Sequence, residues 1–218
     1  MNIQLRDRWF AAIGIGGVVL ELVGTFIQMS SKNTHSLTWS SGSAAIAKAF
    51  SYHATTVVWV GAYLEVIAMG LLLAFALWAA RKLGGGLLGA IASGVAVANL
   101  AVSLVSLALL DAAAYLAGGQ LPVETARVIV VVNGATFITT WFLNAFYLTA
   151  VAPLALAGGR RVLGWSAVAV AAFTLIGTAA SPENAGQFSS MLWLFWIVGA
   201  SIALVRGERR TALTPATA

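Results

Sequence analysis

The sequence has no cysteine, four prolines, two histidines and only 9% charged residues. Each scarcity excludes something. Without cysteine there are no disulfides, no thiolate-bound zinc or iron–sulfur centre and no thiol nucleophile. His35 and His53 stand apart, and neither belongs to an H-x-x-x-H or H-E-x-x-H spacing. A metal centre therefore has no motif, and His53 is at most a weak candidate ligand. The chain also lacks G-x-S-x-G, a phosphate-binding P-loop and a dinucleotide fingerprint. The charge deficit decides the class. A soluble domain carries about a quarter charged residues. At 60% hydrophobic residues and a mean hydropathy of +0.92, this chain cannot clothe itself in charge, so its solvent is mostly lipid.

Six apolar runs are present: 9–29, 54–80, 87–116, 123–156, 162–180 and 188–205. Each reaches the ~17–25 residues that cross hydrocarbon as a helix. Glycine pairs and a Ser-Pro-Glu-Asn turn separate them. The pattern predicts an all-α polytopic membrane protein, a single domain over 1–218 built as a bundle of six transmembrane helices. The first run follows Arg6 and Arg8 as a signal peptide would. Glu21 inside it and its Ile27-Gln28-Met29-Ser30 end argue for a retained helix.

The net charge of +5 and pI near 10.1 suggest nucleic acid until the basic residues are placed. They cluster at the ends of the apolar runs, which is a membrane-topology pattern, so no nucleic-acid partner is expected. With the N-terminus inside, the inner side holds Arg6, Arg8, Arg81, Lys82, Arg160, Arg161, Arg206, Arg209 and Arg210. The outer side holds Lys32, Lys48 and Arg127. The asymmetry predicts both termini in the cytoplasm. Segment 30–53 is then the one long outer connection. Ile46, Phe50 and Val57 fall at helical spacing there, which fits a short surface helix over 43–53 or an extension of the second span.

Three acids interrupt the apolar runs: Glu21, Glu65 and Asp111. An intramembrane carboxylate costs ~2.5–3.5 kcal/mol on insertion scales and marks a pathway, a pocket or an ion pair. Gly14, Gly17, Glu21, Gly24, Thr25 and Gln28 share one face of the first span. Gly61, Ala62, Glu65 and Ala68 share one face of the second. Helical rise places Glu21 and Glu65 roughly 12 and 15 Å below the outer ends of their helices. Two carboxyls at one level are expected to share a pocket and a proton, because like charges disfavour joint ionisation. Asn99 on the third span, and Asn133 and Asn144 on the fourth, extend the polar stripes. The bland account of these stripes is hydrogen-bond glue between helices. Asp111 and Arg127 are equidistant from Gly119 on the two arms of a hairpin, so a structural ion pair between them is expected. On the sixth span, Trp193, Phe195 and Trp196 are bulky and spread around the helix, which suits a lipid-facing or peripheral position.

The run Gly158-Gly159-Arg160-Arg161-Val162-Leu163-Gly164-Trp165 opens the fifth span, and Leu192-Trp193-Leu194-Phe195-Trp196 lies in the sixth. This layout resembles small uncharacterised multi-spanning bacterial membrane proteins grouped as a domain of unknown function. The resemblance covers the last third of the chain, with Gly159 near the place of a common proline. It implies a bacterial plasma-membrane location and no activity, cofactor or functional residue.

Three functions remain open. One is a small binding or transport module, with Glu21, Glu65, Gln28, Asn99, Asn133 and Asn144 taking a proton, a cation or a small polar or amphipathic molecule from the outer side. Another is an accessory or assembly subunit, which meets a membrane-protein partner through the sixth helix. The last is a membrane-embedded enzyme acting on a lipid with the two carboxyls as acid and base, for which no nucleophile stands out.

Overall fold

The structure is a computed structural model that describes residues 3–31, 37–38, 40–52, 54–118, 121–180 and 185–212. These residues form α1 (Ile3–Ser31), α2 (Ser43–Ala49), α3 (Thr56–Leu83), α4 (Gly86–Leu116), α5 (Val123–Ala157), α6 (Arg161–Ala180) and α7 (Ala185–Ala212). All but α2 are long and apolar enough to cross a membrane.

The long helices pack in chain order and close on themselves. α1 lies against α3, α3 against α4, α4 against α5, α5 against α6 and α6 against α7, and α7 returns to α1. Short turns enforce the antiparallel neighbours. At the α3–α4 turn Gly85 takes φ 60° and ψ −141°, a region that only a residue without Cβ enters freely.

The larger core gathers Phe75 and Trp78 of α3, Tyr147, Leu148 and Val151 of α5, and Ile197 and Leu204 of α7. Tyr147 is buried, and its hydroxyl donates to Ala76 O at 2.8 Å, which satisfies the polar tip across α3 and α5. Trp193 and Trp196 stack on each other at 5.8 Å, and both meet Tyr147 edge-on. Trp196 is buried, and Phe188 and Phe195 are the exposed aromatics of α7. This corrects the lipid-facing or peripheral expectation for Trp193 and Trp196, while the exposed Phe195 fits it. A stacked indole pair beside a buried tyrosine gains more contact inward than against lipid chains of equal polarity.

The 30–53 connection contains a separate short helix, not an extension of α3. Ile46, Ala49 and Phe50 form a second core with Ala113 of α4 and Ala126 and Val130 of α5. The Gly118 N–H, in the α4–α5 turn, donates to Phe50 O at 3.1 Å. α2 therefore caps the end of the α4–α5 hairpin, and Val57 stays exposed on α3.

Candidate functional site

Glycine spacing sets the α1–α3 seam. A Cβ on Gly24 would lie 2.8 Å from Glu65 Cγ and 2.9 Å from Gly61 O. A Cβ on Gly61 would lie 2.8 Å from Gln28 Cγ. The two backbones touch, as small-residue faces permit in lipid. That approach seats the acid on α3 beside the amide on α1. Gln28 Nε2 donates to Glu65 Oε2 at 2.8 Å, and both residues are buried. Glu21 lies two turns along α1 from Gln28, on the same face. Gly24, one turn from Glu21, faces Glu65 Cγ, so Glu21 stands on the α1 face that meets the second acid. Glu21 Oε2 is buried and has no hydrogen-bond partner among the described residues. Glu21, Glu65 and Gln28 are thus brought together, with one carboxyl satisfied and the other incompletely so.

The asparagines form a different seam. Asn99 Nδ2 donates to Asn144 Oδ1 across α4 and α5, and Ser103 Oγ donates to Asn99 Oδ1 at 3.2 Å. Further along, Ser106 Oγ donates to Asn133 Oδ1 at 2.5 Å. Thr136 and Thr140 bond carbonyls of their own helix instead, at 2.7 Å each. Among the described residues α1 makes no close approach to α4 or α5. The single pocket expected from six polar residues is therefore divided. A shared face on each helix does not tell which neighbour that face meets.

Arg127 takes partners other than Asp111. It donates to Ser43 Oγ of α2 at 2.6 Å and lies 3.9 Å from Glu124, one turn away on α5. Equal distance from Gly119 matches the depths of Asp111 and Arg127 but leaves their facing directions free, and α2 supplies Arg127 with a nearer acceptor. Asp111 acts on Tyr52, in the α2–α3 connection. Burial, and then the Asp111 charge, push the Tyr52 hydroxyl up from 10.0 to about 12.

One acid escaped the sequence reading. Asp7 is wholly buried. Trp78 Nε1 donates to its Oδ1 at 3.0 Å, and Lys82 Nζ meets its Oδ2 at 2.6 Å. The signal was available: Trp78 and Lys82 are four apart on one helical face, at the end of α3 where the N-terminal acid must pass. Arg6 and Arg8 on either side of Asp7 made the segment look simply basic.

His53, the weak metal candidate, and His35 lie outside the described residues. Among the described residues no three His, Asp or Glu side chains gather as a metal site would need. Compared with known proteins, the chain matches no family model, no curated protein and no solved structure. The site's own chemistry must carry the functional reading.

Proposed function

We propose that this is a multi-pass cell-membrane protein that binds a proton or small cation at the Glu21–Glu65–Gln28 site. The observation that carries the reading is the buried Oε2 of Glu21, without a hydrogen-bond partner among the described residues, on the α1 face that meets Glu65. Two neighbouring carboxylates repel, and a proton or cation held between them relieves that repulsion. Gln28 fixes Glu65 through its amide, which leaves Glu21 as the group that exchanges its ligand. Intramembrane acids of this kind mark ion or proton pathways by default. The basic residues near Arg8, Lys82, Arg160 and Arg206 support an N-inside orientation with α2 on the outer face.

The test uses the purified protein reconstituted in lipid nanodiscs. Infrared difference spectra are recorded across a pH titration and across additions of sodium or potassium chloride. A carboxyl signal that responds in the wild type and vanishes in Glu21→Gln is the expected result. A Glu21→Gln protein with wild-type difference spectra overturns the site.

The asparagine seam favours a purely structural role for the α4–α5 half. Each of its three amide oxygens accepts from a neighbour, as packing glue requires. An assembly subunit would use such glue throughout, and the Glu21 carboxyl is the feature it leaves unexplained.

A further inference from the structure

At the end of the bundle opposite α2, α1 and α7 enclose a groove of about 420 Å³. The helices meet tightly beside it, where a Cβ on Gly14 would lie 2.6 Å from Ser201 Oγ. Arg8 and Arg206 stand at its rim, and Ala12, Ile15, Ile202 and Val205 line it. Neither guanidinium has a hydrogen bond or ion pair among the described residues. Trp9 follows Arg8 and is 61% exposed, the setting of an interfacial aromatic.

We propose that this groove holds one anionic glycerophospholipid, with its phosphate between Arg8 and Arg206 and an acyl chain along the apolar wall. Charge complementarity selects the occupant. Two unpaired arginines at the level of the lipid headgroups favour a phosphate. The apolar wall beneath them excludes a fully hydrated anion as the whole ligand. At helical rise the groove runs roughly 10 Å along α1 from Arg8 to Ile15, long enough for part of one acyl chain. The inference rests on the membrane placement proposed above and not on the Glu21 site.

The test is native mass spectrometry of the full chain released from nanodiscs. The nanodiscs contain equal amounts of phosphatidylglycerol and phosphatidylcholine with the same acyl chains. The wild type should retain one phosphatidylglycerol in clear preference to phosphatidylcholine. Arg8→Gln with Arg206→Gln should lower that retention at least tenfold, and Arg8→Lys with Arg206→Lys should keep most of it. Ala12→Phe, which fills an exposed part of the wall and leaves both charges, should also abolish it. Free glycerol phosphate in solution should not displace the lipid. Equal retention of the two lipids, an unchanged glutamine variant, or full displacement by glycerol phosphate overturns the proposal. Protein that reconstitutes but shows no preference overturns the lipid site alone, whereas protein that cannot be reconstituted overturns the membrane placement itself.

Discussion

Lys82 Nζ lies 2.6 Å from Asp7 Oδ2 and closes the α1–α3 seam at its basic end. The partners differ in burial: the Asp7 side chain is 0% exposed and the Lys82 side chain 21%. Trp78 adds a neutral hydrogen bond to the same carboxylate. The pair joins two helices whose other contacts on this seam are mostly small and apolar.

The difference in burial predicts unequal mutants. Lys82→Met removes the nearer countercharge from a carboxylate that water cannot reach, but Arg6 Nε stays 3.7 Å from Oδ1, so the cost should fall short of the ~3–5 kcal/mol of a fully uncompensated buried charge. Asp7→Asn should cost less, because the Lys82 ammonium can turn toward solvent and the amide oxygen still accepts from Trp78. Thermal denaturation of both variants and of the double mutant checks this. A coupling below about 0.5 kcal/mol would show that the contact is incidental.

The glycine crossing gives a second prediction. Gly24→Ala places a methyl against the Gly61 carbonyl and Glu65 Cγ, both inside 3 Å. The helices must separate, at a cost of ~1–3 kcal/mol as in other overpacked contacts. Gly16→Ala and Gly70→Ala meet nothing within 4 Å and should be neutral or stabilising. The infrared signature of the Glu65 carboxyl should shift in Gly24→Ala and not in Gly16→Ala, because the Gln28 amide moves with α1.

Tyr52 carries a pH dependence. Its hydroxyl is pushed from 10.0 to about 12 in the folded state, by burial first and the Asp111 charge second. A raised folded-state value means that the folded chain holds the proton more tightly. The stability this contributes is complete below about pH 10 and is lost as pH rises toward 12. Tyr52→Phe should flatten thermal stability across that window and leave it unchanged at neutral pH. Asp111→Asn should lower the Tyr52 titration by the smaller part of its displacement, as read by tyrosinate absorbance.

What the sequence showed, it showed through apolar length and acid placement. Six runs gave six long helices, with ends displaced by a residue or a few. Glu21, Glu65 and Gln28 were legible as one cluster because Gly14, Gly17 and Gly24 share the helical face of Glu21 and Gln28, and such a face must meet another backbone. The Asn99–Asn144 seam was legible as two polar faces but not as a partnership separate from the carboxyls, since azimuth within a bundle depends on all the neighbours at once. Arg127 and Ser43 are 84 residues apart and joined by the placement of α2, which local periodicity does not encode. Trp193 and Trp196 misled because bulk alone does not distinguish a core aromatic from a lipid-facing one when both surroundings are apolar.

The last prediction separates the two carboxyls. Glu65 has a partner in Gln28, and Glu21 leaves a buried oxygen with none among the described residues. Removing one member of a satisfied buried pair strands the other, whereas removing an unsatisfied polar group relieves a desolvation cost. Glu65→Met should therefore destabilise the bundle by about 1–3 kcal/mol, because the Gln28 amide loses this acceptor. Glu21→Met should be neutral or raise the melting temperature. A residue that costs stability where it stands is retained for work. Proton or cation binding should disappear in Glu21→Met even as the protein becomes no less stable. Equal destabilisation by both substitutions would place Glu21 in the structural scaffold and withdraw the binding site.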